Sequence, residues 1–112
     1  MNESVLAIFS DVHSNLEALD AVLADMESLG IKNYICLGDI VGYGPNPSAC
    51  LKRIRGLNCP ILLGNHDIAA ATDMPLENLR DVAVAGIEFS RGKLSKEEKE
   101  FIQTLPFTVN HQ

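Results

Sequence analysis

Residues 5–19 read VLAIFSDVHSNLEAL, and the reading of this stretch decides the architecture. Val5 to Phe9 is a continuous apolar run closed by polar residues, which marks a strand buried on both faces rather than an alternating, half-exposed one. A helix follows at once. Ser14 with Glu17 three residues later has the form of a capping box. Leu16, Leu19, Leu23 and Met26 then recur at helical spacing, Val22 and Leu29 widen the stripe, and Gly30 supplies the stop.

Two further apolar runs repeat the pattern. Tyr34 to Leu37 leads into Gly38-Asp39 and then Val41-Gly42-Tyr43-Gly44-Pro45, whose glycines and proline favour a fixed loop. Asn46 then Pro47 starts a second helix, with Leu51 and Ile54 facing the sheet and Gly56 closing it. The third run, Ile61 to Leu63, ends in Gly64-Asn65-His66-Asp67. Beyond it Leu79, Val82, Gly86 and Phe89 share a helical face, and Ser95 with Glu98 makes a second capping box before a short helix ending near Leu105-Pro106. The order βαβαβ followed by helices predicts an α/β fold: a parallel sheet with right-handed crossovers and flanking helices. No internal repeat, low-complexity tract or linker divides it.

At 112 residues and 46% apolar composition, the chain is expected to form one small domain with a real core. The net charge of -6 argues against a broad nucleic-acid surface, since such binding rests on neutralising many phosphates. A short phosphate ester held through cations is compatible with that charge. Cys36, Cys50 and Cys59 are odd in number and form no C-x-x-C pair, so they read as small buried apolar residues rather than a disulfide framework or zinc ribbon. No basic leader precedes the first apolar run, which is too short to span a membrane; a reducing cytoplasm is the expected compartment.

In an open parallel sheet the carboxyl ends of the strands face one crevice, so the three polar clusters should meet there. Asp11 and His13, two apart on an extended backbone, would point the same way and hold one ion. Asp39 offers a carboxylate able to bridge two cations, and Asn65 a neutral amide oxygen. Glycine before Asp39 and before Asn65 lets the chain turn sharply and leaves room for a ligand to approach the backbone. A D-x-H triplet alone is a weak signal; three clusters at three consecutive strand ends reinforce one another. His66 beside a carboxylate can stay protonated near neutral pH and donate to a leaving oxygen, against the plainer role of a cap or turn residue. The plainer role for His13 is a core histidine, and for Asn15 a residue of the helix start alone. Neither G-x-G-x-x-G nor G-x-x-x-x-G-K-[ST] follows the first strand, which disfavours a nucleotide-binding domain.

Asp11-x-His13 with Asn15, then Gly38-Asp39-Ile40-Val41-Gly42-Tyr43-Gly44-Pro45, then Gly64-Asn65-His66-Asp67, resembles the opening motifs of the calcineurin-like metallophosphoesterase superfamily over nearly the whole chain. It is more similar to the compact prokaryotic phosphodiesterase branch than to the protein Ser/Thr phosphatases, which carry an aspartate-arginine-glycine pattern where Val41-Gly42-Tyr43-Gly44 stands. The resemblance implies half of a four-layer αββα sandwich. It also implies that Asp11 and His13 hold a first metal, Asp39 bridges two, and Asn65 binds the second. His66 would lie beside the scissile phosphoester as general acid or charge stabiliser, with Asp67 orienting its ring. The implied chemistry is two-metal hydrolysis of a small phosphoester, with manganese, iron, nickel, cobalt or zinc as the two divalent ions.

Complete members of that family continue through a second sheet carrying further histidine ligands, so residues 1–112 correspond to an amino-terminal part. His111 follows a stretch similar to the family's approach to a fourth strand and is expected at the surface, not as a ligand. Four donors with Asp39 shared give the first ion three ligands and the second two, from which weak metal affinity and little hydrolysis are expected of this chain alone. Strands apolar on both faces also predict an exposed apolar face, suited to a second copy or to a chain carrying the complementary half. The alternative function is a metal- or phosphate-binding half-domain that acts through a partner without turnover.

Overall fold

The computed structural model describes residues 5–108, so His111 lies outside the described residues. In chain order the elements are β1 (Leu6–Phe9), α1 (Leu16–Ser28), β2 (Asn33–Cys36), α2 (Pro47–Arg55), α3 (Asn65–Ala71), α4 (Asp81–Lys93) and α5 (Lys96–Gln103). Strands β1 and β2 pair in parallel, Leu6 against Asn33 through Phe9 against Cys36, with α1 as their crossover. The fold is α/β, as the alternation of strand and helix predicts.

The third apolar run departs from expectation. It joins the sheet through one parallel bridge, Ile61 to Cys36. There Cys36 donates to the Pro60 carbonyl at 3.0 Å and accepts from the Leu62 N–H at 2.9 Å. Pro60 has no N–H with which to lengthen the ladder. On the other side the Leu63 N–H is drawn to the Pro106 carbonyl at 2.8 Å, beyond the end of α5. The run holds the third place in the sheet without becoming a regular strand.

Helix α1 is capped by Asn15, whose side-chain oxygen accepts the Ala18 N–H at 3.0 Å, and not by Ser14. Ser14 adopts φ +62 and is buried, whereas a capping residue needs extended-type backbone. The stripe of α1 is also narrower than expected: Leu19 and Leu23 are buried, but Val22 and Leu29 are exposed. Helix α2 follows expectation, with Pro47 in its first turn and Leu51 and Ile54 fully buried. The Ser95–Glu98 capping box of α5 is formed in both directions, at 3.1 and 2.8 Å.

Helix α4 turns a different face inward from the one its large residues suggest. Val82 is 70% exposed and Phe89 is exposed too, as is Leu79, which lies before the helix rather than in it, while Ala83, Gly86, Ile87 and Ser90 are buried. The physical reason is closeness: at Gly86 and Ser90 this helix packs directly on a loop, as described below, while Ile87 beside them enters the core. Helix α3, starting within the third polar cluster, is an element the strand-end reading did not foresee.

One continuous core joins Cys36, Cys50, Leu51 and Ile54 to Ala69, Ala70, Ile87 and Ile102. Within it Cys36 and Cys50 behave as small apolar groups, and burial pushes their thiols up to about 12 and about 11. The opposite side of the sheet is partly open. Ile8 pairs with Ile35 and so shares its face, as does Leu37 two residues on; Ile8 and Leu37 are 57% and 44% exposed, whereas Ile35 between them is buried. Among the described residues no helix is long and apolar enough to cross a membrane.

Candidate metal centre

Beyond the last paired residues of β1 and β2, the two chains stay joined as loops. Asp11 N–H donates to the Gly38 carbonyl at 3.2 Å, His13 N–H to Asp39 at 3.0 Å and Ser14 N–H to Ile40 at 2.7 Å. The backbone is not extended there. Asp11, His13, Ser14, Asp39 and Tyr43 all have φ between +47 and +62, a region that non-glycine residues seldom occupy. Five such residues in two adjoining loops mark a site whose geometry is imposed by its surroundings.

This irregular backbone, rather than an extended one, brings the donors together. One ligand atom from each of Asp11, His13 and Asp39 lies within 4.8 Å of the others. His13 Nδ1 is 3.0 Å from the Val41 carbonyl, and because a carbonyl only accepts, that nitrogen carries the proton. The Nε2 lone pair therefore faces Asp11 Oδ1, 3.4 Å away, in the tautomer a metal ligand needs. Asp11 is exposed and Asp39 half-buried. These donors fit a divalent ion: two carboxylates and one imidazole, with an outer hydrogen bond fixing the imidazole.

The third cluster is locked against the second by the absence of side chains. A Cβ on Gly64 would stand 2.2 Å from Asp39 N and 2.4 Å from Asp39 Oδ1, and one on Gly38 would stand 2.6 Å from Gly64 N. The space left by these glycines is thus filled by the neighbouring loop, not kept open for a ligand. His66 N–H donates to Asp39 Oδ1 at 3.0 Å, which orients the Asp39 carboxylate. Asn65 is exposed at the first position of α3, directly beside this contact.

Asp67 has a different task from the expected one of orienting His66. Its Oδ2 accepts from Asp39 N–H at 2.8 Å and Gly64 N–H at 3.1 Å; its Oδ1 accepts from Ile40 N–H at 2.8 Å and Val41 N–H at 3.1 Å. One buried carboxylate thus ties the second loop to the start of α3. Burial pushes its carboxyl up to about 6, with Asp39 adding to the rise and the amides of Val41, Gly64 and Ile40 opposing it.

His66 consequently lacks the flanking carboxylate that would keep it protonated. Burial lowers its pKa from the usual imidazole range and His13 adds to the fall, against Asp39 and Asp11, which raise it. Its Nδ1 is buried with no hydrogen-bond partner. A buried lone pair is tolerated better than a buried N–H, so in a neutral ring the tautomer with its proton on Nε2 is the one this packing favours. His66 instead packs among rings: centroids lie 4.7 Å from His13 and 5.0 Å from Tyr43, and Tyr43 is 5.0 Å from His13. An open cleft of about 600 Å³ passes Asp11, His13, Glu17 and Tyr43.

Sequence reasoning missed Tyr43 and the α4 residues behind it. The available signal was Gly86, an isolated glycine inside a helical pattern, which often marks close backbone approach.

The family model of calcineurin-like phosphoesterases matches residues 4–110. An uncharacterized protein of Methanocaldococcus jannaschii is 42% identical over 109 residues, covering 97% of this chain and 45% of that protein. Among solved structures, a metallophosphoesterase from Sphaerobacter thermophilus is similar at a TM-score of 0.74 and 37% identity, covering 90% of this chain and 40% of that one. A candidate diadenosine tetraphosphatase is similar at a TM-score of 0.64 and 18% identity, over 90% of this chain and 42% of that one, a likeness of fold alone. The chain spans less than half the length of these relatives.

Proposed function

The chain belongs to the calcineurin-like phosphoesterase family, and from that premise we propose that it supplies the metal-binding half of a dinuclear centre hydrolysing small phosphodiesters. The convergence of Asp11, His13 and Asp39 donor atoms within 4.8 Å carries this reading. Asp11 and His13 would hold the first ion, Asp39 would bridge, and Asn65 would reach the second from the start of α3. Bound there, divalent ions would supply polarisation of phosphoryl oxygens and activation of water. Manganese, iron, nickel, cobalt and zinc all suit such oxygen and nitrogen donors. His66, neutral and with its proton on Nε2, serves better as a hydrogen-bond donor that steadies developing charge than as a full proton donor. Asp67 contributes by holding the loop that carries Asp39. The free, buried thiols of Cys36 and Cys50 suit a reducing cytoplasm, and the exposed Ile8 and Leu37 on the sheet suit a second copy or a complementary half.

Calorimetric titration with manganese, paired with hydrolysis of an aryl phosphodiester, tests this. The expected result is weak metal binding that disappears in Asp39→Ala. Slow turnover by the chain alone should rise when the remainder of a related metallophosphoesterase is supplied in trans, and fall in His66→Ala. No binding at millimolar manganese would remove the metal centre. Binding without turnover, alone and complemented, would leave only a metal-binding half-domain.

A further inference from the structure

Among the described residues no side chain or backbone group is hydrogen-bonded to the buried ring nitrogen of His66, Nδ1. Asp67, the neighbouring carboxylate, accepts from four backbone amides instead. What confines the ring is packing. Gly42 lies so close that a Cβ there would stand 2.8 Å from His66 Nδ1. Tyr43 meets His66 at an interplanar angle of 41° and His13 edge-on at 88°, so one phenol ring touches both imidazoles of the site.

Tyr43 is itself held in an uncommon conformation, φ +56, immediately after Gly42 at φ +90. Helix α4 braces both. A Cβ at Gly86 would fall 2.3 Å from Tyr43 N and 2.6 Å from Tyr43 Cα, so the helix meets the loop backbone with no side chain between. One turn on, the Ser90 hydroxyl accepts the Gly42 N–H at 3.1 Å, and Ser90 is fully buried. Residues four apart lie on one helical face, so the two contacts act together. This explains why small residues stand at positions 86 and 90 of the buried face, with Ile87 filling the core beside them, and why Val82 and Phe89 lie outside.

We infer that Tyr43 is a positioning residue for His66, and that α4 sets it through Gly86 and Ser90. The catalytic consequence rests on the phosphoesterase reading above; the geometric part does not. A ring confined only by van der Waals contact loses its aim when one wall is removed, and a misplacement of about 1 Å can cost on the order of 100-fold in rate. The effect should fall on the transition state, lowering kcat and leaving KM in place.

Two measurements test this. In the metal-free chain, NMR should show cross-relaxation between the His13 and His66 rings. That signal should weaken or broaden in Tyr43→Leu and in Gly86→Ala, and return in Tyr43→Phe, which keeps the ring. Ser90→Ala serves as the milder variant if Gly86→Ala does not fold. In the complemented enzyme, Tyr43→Leu should lower kcat about 10- to 100-fold with KM unchanged. Combined with His66→Ala it should add nothing, because a residue that acts through His66 has no effect without it. Unchanged His13–His66 signals in Tyr43→Leu and in the α4 variant, or additive kinetic losses, would overturn the inference. If no form of the enzyme turns over, the phosphoesterase reading fails while the NMR comparison still decides the positioning.

Discussion

Along β1 and β2, four residues of each strand form an ordinary parallel ladder, and Ile8 and Leu37 look outward from it. A few residues further on, the same two chains become loops with five left-handed non-glycine residues, a buried carboxylate bonded to four amides, and glycines at distances no side chain could share. The regular part is short and open on one side. The irregular part is held from several directions at once. The difference teaches that in this protein the site does not hang from a rigid sheet; the loops are a cooperative structure of their own, and function requires them to be.

The severest test of that contrast is Asp67→Ala. It leaves four backbone N–H groups without their acceptor, and a loss of at least about 3 kcal/mol is expected in urea unfolding, given the cost of buried unsatisfied donors. Asp67→Asn, which retains one acceptor oxygen, should cost less. If Asp67→Ala unfolds within about 0.5 kcal/mol of the parent, the size of an ordinary surface change, the loops are not the tightly held region.

Metal binding sharpens the contrast from the chemical side. Replacing His13 by alanine should weaken manganese affinity at least about tenfold by calorimetry, since even the loss of an outer-shell partner has effects of that order. Val41, whose carbonyl fixes the His13 tautomer, links this effect to the loop that Asp67 holds.

The core beneath the loops should reveal itself at alkaline pH. Burial raises Cys36 from 9.0 to about 12 and Cys50 from 9.0 to about 11. Above pH 9 the unfolded thiols release protons that the folded ones retain, so the unfolded state binds fewer protons and stability falls as pH rises. Melting temperature should decline from pH 9 towards 11, with each thiol contributing up to about 1.4 kcal/mol per pH unit. Cys36→Ala/Cys50→Ala should show a shallower decline; an identical slope would mean that these thiols are not buried as described.

The smallest effect is expected on the open face. Ile8→Ser, at 57% exposure, should move the unfolding midpoint of the isolated chain by no more than about 0.5 kcal/mol. A larger loss, dependent on protein concentration, would show instead that the face is covered by another copy.

Much of this was legible along the chain because it rests on local chemistry. Apolar runs closed by glycine and polar residues mark where strands end, Pro47 and Gly56 bracket α2, and the Ser95–Glu98 pair caps α5. The donors Asp11, His13 and Asp39 stand out for the same reason, since residue type and the position after a strand suffice to nominate them. Ser14 misled because its capping pattern is local whereas its burial and left-handed backbone are imposed by the second loop. Likewise, Asp67 lies next to His66 in sequence, yet its carboxylate turns to the amides of residues 39–41, more than 25 positions away.

The sequence by itself determined the α/β order, the family to which the chain belongs and the side chains able to hold metal, because periodicity, turn chemistry and donor type are properties of neighbouring residues. Only the tertiary structure decided which backbone amides Asp67 serves, which nitrogen of His13 is free, and that α4 reaches Tyr43 through Gly86 and Ser90. Those are matters of distance between segments far apart in the chain, and no local pattern records how closely two backbones will approach.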